Sequence, residues 1–497
     1  MKMPEVDRAI IARRAAIAEK LRAIVGQDWV IDDEAERRPY ESDALMAYSA
    51  LPLLVVLPES TEQIRQILLY CREDKVKIVP RGSGTSLSGG ALPLEDGILL
   101  TTARMNRIIA VDPLNRVARV QPGVQNVRVT EAVRHLGLCF MPDPSSQAIS
   151  TIGGNVAENS GGVHCLKYGV TSNHITGIEA VLLNGDIVQF GGEFLGGTEK
   201  EFDLTAALIG SEGLLAVITE VSLRLMPQPT SARVLSLGFP SVDDASRCVG
   251  AILAHGIVPA GLEFMDRKCI DAVSSYFGDT VKPEVAAILL CELDGPEVEV
   301  NALLAQVQAI AWKIGLADLR ISSTEEERAA LWRGRKSVYG AMGKIAPDLY
   351  VTDGTIPRGK LPEILQQIDT LSRKYGLGYA NCFHAGDGNL HPVILFDAAR
   401  PDDLAKAEAF GAEILKACVD LGGVLTGEHG VGVEKRDLMT YQFTETDLAQ
   451  QQRLKCAFDP DQLLNPGKMF PTPCRCGEFG RPRAARKPLP FPDIPRF

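Results

Sequence analysis

Between Leu53 and about Met226, short β-rich runs alternate with longer segments in which apolar residues recur at helical spacing. This alternation indicates an α/β region in which helices pack their apolar faces on a sheet. The first helix should begin at Ser60, with Gln63 completing a capping box. The predicted elements are strands at 55–57, 76–80, 98–101 and 117–120, a helix at about 126–136, a hairpin through Asn184-Gly185, and a long strand ending near 226.

The Asn184-Gly185 pair separates two apolar runs, IEAVLL and DIVQF, and should form the turn of that hairpin. Asn-Gly is favoured in type I′ turns because both central residues there need a positive φ. We therefore expect a two-residue turn of this type.

Pro227 and Pro229 interrupt the pattern, and a different order of elements follows them. The predicted elements are strands near 234 and at 258–264, 286–293 and 349–356, helices at 242–254, 297–315, 325–340, 360–375 and 402–421, and a tight hairpin at 377–396. The first of them follow a βαβ–βαβ order, which is typical of a ferredoxin-like α+β layer.

A chain of 497 residues is too long for one hydrophobic core. The changes of pattern predict an N-terminal helical segment at 1–50, one domain at 51–228, a second at 229–470 and a Pro-rich, basic tail at 471–497.

The N-terminal segment interleaves basic residues with apolar ones at helical spacing. Such a helix could lie in a membrane interface, but Glu5, Asp7 and Glu19 favour a helix that docks on the protein itself. No stretch approaches the ~20 apolar residues that span a bilayer. We therefore expect a cytoplasmic protein, at most peripheral on the inner face of the cell membrane.

Composition narrows the class of partner. The net charge of −11 argues against nucleic acid, because binding to phosphates relies on clustered Lys and Arg. The 11 cysteines stand singly, mostly in apolar runs, and are interpreted as buried thiols in a reducing compartment.

Two segments are rich in glycine and hydroxyl residues. The first, RGSGTSLSGG at 81–90, can turn several N–H groups toward a phosphate because glycines leave the backbone open. It matches neither a Walker A loop nor a Rossmann fingerprint, and alone it could equally be a structural turn. The second comprises PDPSS at 142–146 and STIGGNVAENSGG at 150–162. Two such cradles suit a dinucleotide.

These segments, with KYGVT and TGIEAVLLNGD, resemble the FAD-binding domain of the vanillyl-alcohol oxidase superfamily. The resemblance implies an α+β fold in which FAD lies between two subdomains, beside the ferredoxin-like substrate (cap) domain. Thr85 and Ser86 stand where some members carry a FAD-tethering His, so we expect non-covalent FAD. The predicted FAD contacts are Arg81, Gly82, Ser83, Gly84, Thr85, Ser86, Pro144, Ser145, Gly153, Gly154, Asn155, Ser160, Gly161, Gly162, Ile218 and Asn465. We interpret His164 as a structural, hydrogen-bonding residue.

The segment HAGDGNLH at 384–391 reads as two strands around a turn at 386–389. With that turn, His384 would face His391 directly across the ladder, their Cβ atoms ~5 Å apart. Two imidazoles so placed can hold one metal ion.

A second cluster, TGEHGVG at 426–432, supplies Glu428 and His429. Two histidines and one carboxylate would suit Zn²⁺, Mn²⁺ or Fe²⁺. The alternative is a pair of hairpin histidines bonded to backbone and an exposed Glu-His pair.

Both clusters resemble the C-terminal domain of FAD-linked D-2-hydroxy-acid dehydrogenases, where HxGDGNxH and GEHGxG motifs face the flavin. The resemblance implies that His384, His391 and Glu428 bind one divalent metal. It also implies that His429 is the general base.

Arg335, in the run WRGRK, matches the carboxylate-binding Arg of that family. Arg can bind a carboxylate through two hydrogen bonds, although a solvated helix face would also explain an Arg in such a run. Relatives that act on dicarboxylates have polar residues where this chain has Tyr339 and Val351. Both departures favour a short substrate with one carboxylate.

The resemblance therefore implies oxidation of a small 2-hydroxy acid: glycolate to glyoxylate, with D-lactate to pyruvate as the nearest alternative. An iron–sulfur cluster needs several closely spaced Cys, and only Cys474 and Cys476 come near. Electrons should then leave to a quinone or to partners, by resemblance a second FAD-domain subunit and an iron–sulfur subunit. A flavin-binding electron-transfer or assembly subunit is the rival class, against which His429, Arg335 and the paired histidines speak.

Overall fold

The computed structural model describes residues 3–192, 203–274 and 281–471. All but the first residue of the predicted tail, including Cys474 and Cys476, lies outside the described residues.

The first sheet has four strands in the order β1-β2-β4-β3. They are β1 (Val30–Ile31), β2 (Leu54–Val56), β3 (Lys77–Arg81) and β4 (Gly97–Thr101). β2, β4 and β3 run parallel, and β2 and β4 are buried throughout, as expected where other elements cover both faces of a sheet.

Helix Thr61–Asp74 connects β2 to β3 and begins at the predicted cap. The Ser60 side chain accepts the Gln63 N–H at 3.3 Å. The Gln63 side chain accepts from Glu59 N–H, one residue before the cap, so the second half of the predicted capping box is displaced.

Two helices, Arg8–Ala12 and Arg14–Val25, precede this sheet. Their residues Ile10, Ile17 and Leu21 are buried in the same core as β2 and helix Thr61–Asp74. The predicted docking helix is confirmed and the interfacial alternative is wrong, because its apolar face is already covered by protein. Among the described helices, none is long and apolar enough to cross a membrane.

The next strands are β5 (Ile108–Asp112), β6 (Val117–Val120), β7 (Leu138–Cys139), β8 (Ile175–Val181), β9 (Ile187–Gly191), β10 (Val217–Arg224) and β11 (Met226–Pro227). Five of them form an antiparallel sheet in the order β5-β6-β10-β8-β9, while β7 pairs with β11. Helices Asn126–Val133 and Ile152–Glu158 pack in the core of this sheet.

The turn between β8 and β9 is not the predicted type I′. The Gly185 N–H donates to the Leu182 carbonyl, and the Leu182 N–H donates to the Asp186 carbonyl. Gly185 has a φ of 87°, but Asn184 is not in the left-handed region, so the loop has the form of a three-residue hairpin closed by glycine. Asn184 instead accepts the Asp186 N–H with its side chain, a local bond that needs no positive φ.

The remaining strands are β12 (Ser231–Phe239), β13 (Gly261–Asp266), β14 (Ala287–Gly295), β15 (Asp318–Ile321), β16 (Asp348–Val351), β17 (Gly354–Thr355), β18 (Gly378–His384), β19 (Asn389–Leu390) and β20 (Pro392–Phe396). They form one nine-stranded sheet in which β15-β12-β14-β13 lead through β18 and β19 to β17, and β20 joins β16 to β18. Helices Val242–Ala254 and Glu297–Ile314 pack in its main core, so the predicted βαβ–βαβ layer is confirmed.

The other long helices of this part are Glu325–Met342, Leu361–Tyr375, Asp403–Asp420 and Glu445–Phe458. The strand predicted at 349–356 is two strands, β16 and β17, that pair with different partners. Beyond the last helix the chain returns to the first sheet, where Leu463 and Leu464 enter its core and the Leu463 carbonyl accepts the Ile78 N–H.

Candidate active site

A cavity of about 440 Å³ lies between both glycine-rich segments, helix Glu325–Met342 and the β18–β20 hairpin. This is the usual size of a small-molecule site. The predicted FAD contacts that line it are Arg81, Gly82, Ser83, Gly84, Thr85, Ser86, Pro144, Ser145, Gly153, Gly154, Asn155, Ser160 and Ile218. Arg335, His384, His391, Glu428 and His429 also line it. The structure thus brings together two groups of residues that sequence motifs predicted separately.

The glycines of the cofactor side are needed where backbones approach closely. A Cβ on Gly82 would lie 2.3 Å from Oγ1 of Thr151, and one on Gly153 would lie 2.6 Å from Cβ of Pro122. The side-chain nitrogen of Asn155 is buried without a hydrogen-bond partner in this wall. Because buried donors are nearly always paired, this amide calls for a ligand acceptor, and a dinucleotide fits.

Three predicted FAD contacts do not line the cavity. Gly161 packs against Glu428, and a Cβ on it would lie 2.5 Å from Oε2 of that carboxylate. Gly162 packs on the Asp143 backbone. The Asn465 amide donates to the backbone carbonyls of Gly90 and Glu212 at 2.9 and 2.6 Å. These three residues pack against residues that line the cavity or lie next to them in the chain, and do not line it themselves.

The predicted register of the histidine hairpin is wrong, although the two histidines do meet. His384 pairs with Asn389, so the turn occupies 385–388, one residue earlier than predicted. Gly388, with φ of 84°, closes that turn. His391 is then the diagonal neighbour of His384 on the same face, within reach of a long side chain. The ring centroids lie 5.1 Å apart.

The two histidines converge on one carboxylate oxygen. Nε2 of His384 and Nε2 of His391 lie 3.1 and 3.0 Å from Oε1 of Glu428. Nδ1 of His384 lies 2.7 Å from Oε1 of Glu263, and because a carboxylate only accepts hydrogen bonds, that nitrogen carries the proton. A neutral His384 would therefore direct an Nε2 lone pair at Glu428. A cation between them removes this repulsion, so the donor set fits a divalent metal.

When no metal is bound, protons on the histidines can remove the repulsion between their nitrogen lone pairs and the Glu428 carboxylate. Burial opposes protonation, but Glu263 and Glu428 outweigh it and raise the pKa of His384 well above its ordinary value. The pKa of Glu428 is held well below its ordinary range, because both histidines overcome the effect of burial.

His429 differs from its two neighbours. Its ring stacks on His391 with centroids 4.8 Å apart, and burial lowers the pKa of His429 to about 4. Its Nδ1 is buried and has no hydrogen-bond partner. A neutral imidazole in a cavity is suited to accept a proton.

Arg335 lines the cavity from helix Glu325–Met342. Its Nε and one terminal nitrogen bind Oε2 of Glu263 at 2.8 and 2.7 Å. Both donors share one carboxylate oxygen, which fixes the guanidinium and leaves its other N–H groups for a ligand carboxylate. Arg333 is exposed, whereas Tyr339 and Val351 line the same cavity.

Two buried acids of the site were missed from the sequence. Asp353, between β16 and β17, accepts the N–H groups of Gly427, Glu428 and His429 at 2.9–3.2 Å. Glu263 joins His384 to Arg335. The sequence did contain a signal, an acidic residue within each apolar strand pattern. Because burial of an unpaired carboxylate is costly, such a residue indicates a buried partner.

His164 has the hydrogen-bonding surroundings expected of it. Its Nδ1 lies 3.0 Å from Oδ2 of Asp143, and its Nε2 lies 3.4 Å from Oε1 of Glu292.

Fold and site together define a flavin-dependent oxidoreductase. Residues 52–191 match the family model of the FAD binding domain, and residues 228–469 match that of the C-terminal domain of FAD linked oxidases. The chain belongs to the FAD-linked oxidase family, which confirms FAD as its cofactor class and the family resemblance seen in the sequence.

Its curated relatives include glycolate oxidase subunit GlcD of Escherichia coli (strain K12), 48% identical over 495 residues that cover 100% of this chain and 98% of the relative. Subunit GlcD of Bacillus subtilis (strain 168) is 39% identical over 91% of this chain and 96% of its own. A D-lactate dehydrogenase of Archaeoglobus fulgidus is 35% identical over 84% of this chain and 91% of its own.

Solved structures agree in fold. A 4-ethylphenol oxidase from Gulosibacter chungangensis superposes with a TM-score of 0.78 at 19% identity, covering 96% of this chain and 100% of that one. A p-cresol methylhydroxylase gives 0.78 at 20% identity, covering 93% and 97%. At such identities the likeness concerns the fold alone, and it confirms the predicted α+β class.

Proposed function

We propose that the chain oxidises glycolate to glyoxylate by transfer of the Cα hydride to non-covalently bound FAD. The observation that carries this proposal is that the glycine-rich dinucleotide cradle, Arg335 and the buried His429, whose pKa is lowered to about 4, all line one cavity. The relatives named glycolate oxidase subunits support the choice of substrate.

The residues divide the chemistry among them. Arg335, held by Glu263, binds the substrate carboxylate and orients the hydroxyl toward His429. His429 accepts the hydroxyl proton while the Cα–H bond breaks. The cradle of Gly82, Gly153 and Asn155 holds the cofactor, and FAD, when bound, supplies the hydride acceptor.

His384, His391 and Glu428 are proposed to bind one divalent ion, with Zn²⁺, Mn²⁺ and Fe²⁺ as candidates. A metal there would act as a Lewis acid that makes the substrate hydroxyl more acidic. Glu263 holds the first histidine through its other nitrogen, a support that metal-ligating histidines commonly have.

Tyr339 and Val351 line the cavity near Arg335, and the ammonium of Lys336, which also lines it, is paired with Asp143. This arrangement favours a short acid with one carboxylate. D-Lactate is the second candidate, because a relative named D-lactate dehydrogenase is 35% identical. Lactate differs from glycolate by one methyl group, worth only a modest difference in binding.

We further propose that the chain is one subunit of a complex with a second FAD-domain subunit and an iron–sulfur subunit, peripheral to the inner face of the membrane. The subunit names of its relatives support an assembly. The division into domains at 51–228 and 229–470 is likewise a proposal, which the two family matches at 52–191 and 228–469 support.

The test is anaerobic reduction of the FAD-loaded protein by glycolate, D-lactate and L-lactate, followed at the oxidised flavin band. Bleaching by glycolate or D-lactate but not L-lactate supports the proposal, and the relative rates select the substrate. Bound flavin that none of the acids bleaches would contradict it.

A further inference from the structure

A chain of charged side chains joins the loop at 142–146 to helix Glu325–Met342. Oδ2 of Asp143 lies 3.2 Å from Nζ of Lys336 and 3.0 Å from Nδ1 of His164. The other Asp143 oxygen accepts the His164 backbone N–H at 3.2 Å. Pro142 and Pro144 flank Asp143, and each fixes its own backbone φ.

The chain continues through Glu292 of β14 back to the same helix. Nε2 of His164 faces Glu292, which accepts hydrogen bonds from Arg328 at 3.0 Å and from the indole of Trp332. Arg328, Trp332 and Lys336 follow one another at four-residue intervals, so they share one face of the helix. Lys336 therefore binds the 142–146 loop directly, whereas Arg328 and Trp332 reach it through Glu292 and His164.

This placement connects two binding sites. Pro144 and Ser145, next to Asp143, line the cavity, and so do Arg335 and Lys336 of the helix. Because neighbouring residues of one loop and one helix turn move together, the position of the loop affects the position of the guanidinium.

We propose that Lys336 and Asp143 are positioning residues that couple FAD binding to binding of the substrate carboxylate. The inference rests on the proposed function, since it takes Arg335 as the carboxylate site. When FAD binds, it orders the loop, and the loop then holds Arg335 in place through Lys336. When a carboxylate binds, it holds Arg335, and the helix then orders the loop through the same contact. Such coupling is reciprocal, so either ligand reports it.

The experiment measures the dissociation constant of FAD on the apo-protein by quenching of FAD fluorescence, with and without saturating glyoxylate. In the wild type, glyoxylate should tighten FAD binding by about tenfold, within the usual range of such couplings. Lys336→Met and Asp143→Asn should reduce this factor to less than about twofold. In steady-state assays both should raise KM more than they lower kcat.

Lys167→Met is the matched control. Lys167 binds Asp294 of β14 across the same interface, and its side chain is 31% exposed, against 25% for Lys336. Its ion pair touches neither the 142–146 loop nor helix Glu325–Met342. This variant should keep the tenfold factor, and Lys336→Arg, which keeps the cation, should keep most of it.

Three results would overturn the inference: no effect of glyoxylate in the wild type, full coupling in Lys336→Met, or an equal loss in Lys167→Met. Asp143→Asn decides the matter if Lys336→Met does not fold, which thermal melting will show. The two proposals fail separately. Bound flavin that none of the acids bleaches contradicts the proposed function, whereas equal coupling in all variants contradicts only the coupling.

Discussion

His429 is neutral mainly because it is buried, and positively charged neighbours add to this effect. Burial is the largest influence that lowers the pKa of His429 to about 4; His391 and Lys435 act in the same direction, and Asp353 and Glu428 oppose them. An ordinary imidazole titrates near 6.5, so this ring is a weaker base than usual, but at neutral pH it is uncharged and has a nitrogen lone pair that can accept a proton.

His429→Ala should slow flavin reduction by glycolate about 10²–10⁴-fold, the usual contribution of a general base. FAD binding should be unchanged, because His429 belongs to the substrate side. Stopped-flow reduction of the FAD-loaded variant measures the rate. His255→Ala removes an exposed imidazole at the end of helix Val242–Ala254 and serves as the control. A His429→Ala variant reduced at the wild-type rate would remove this residue from the mechanism.

Glu428→Gln should abolish metal binding while FAD stays bound. The carboxylate oxygen lies between both Nε2 atoms, and an amide lacks the negative charge that a divalent ion prefers. Elemental analysis after dialysis measures the metal content. Glu413→Gln, which alters a carboxylate on helix Asp403–Asp420 that pairs with Lys374, is the control. Equal metal in both variants would contradict the ligand assignment.

Among the elements, the β18–β19 hairpin shows which features a sequence pattern can predict and which it cannot. The predicted turn differs from the observed one by one residue, which moves the partner of His384 by two positions, from His391 to Asn389. An even shift keeps each side chain on its face, whereas an odd shift would have put the histidines on opposite sides. The face was therefore predictable from alternation. The register was not, because β19 also pairs with β17, which is distant in sequence.

Glu263 and Asp353 could not be predicted from the sequence for the same reason: their partners are distant in the chain. Glu263 lies 121 residues from His384, and Asp353 lies 76 residues from His429. Their partners are set by strand order in the nine-stranded sheet, which local periodicity does not determine. Motif residues such as His384 and Glu428 were predictable because short glycine-rich signatures carry them. The elements around them were predictable because helical and strand periods are local.

Gly250→Ala in helix Val242–Ala254 should stabilise the protein by about 1 kcal/mol, the difference in helix propensity. A Cβ there would meet nothing within 4 Å. Gly238→Ala in the neighbouring strand β12 should destabilise it, since its Cβ would lie 3.0 Å from side-chain atoms of Asp318 and Val285. Urea unfolding of both variants measures the effects. Stabilisation by Gly238→Ala, or loss by Gly250→Ala, would contradict the packing described.

At the scale of the whole molecule, the contact between its two halves depends on pH through His164. Burial alone would lower the pKa of His164, but Asp143 and Glu292 outweigh it and raise that pKa to about 10. A raised pKa stabilises the fold fully below the unfolded value of about 6.5 and progressively less as pH rises toward 10. The pKa of Asp143 is lowered, because His164 and Lys336 overcome its burial, so its contribution is lost in acid, below about pH 4.

The melting temperatures of the wild type and His164→Gln should therefore differ most near pH 5–6 and converge as pH approaches about 10. Thermal melting across that range tests this. His255→Gln should show no such convergence, since His255 lies exposed at a helix end. A gap that stays constant with pH would show that His164 stabilises the interface by shape alone.

Gly161 limits how parts of the molecule can be exchanged with those of relatives. This residue of the cofactor half has no side chain, and Glu428 of the substrate half occupies the space that one would need. The two halves therefore fit closely at this position, and neither can be replaced by the corresponding half of a distant relative without regard to residue 161. A chimera that imports a larger residue at 161 would displace Glu428, so gene shuffling within the family should succeed only when segments 160–162 and 426–430 are inherited together.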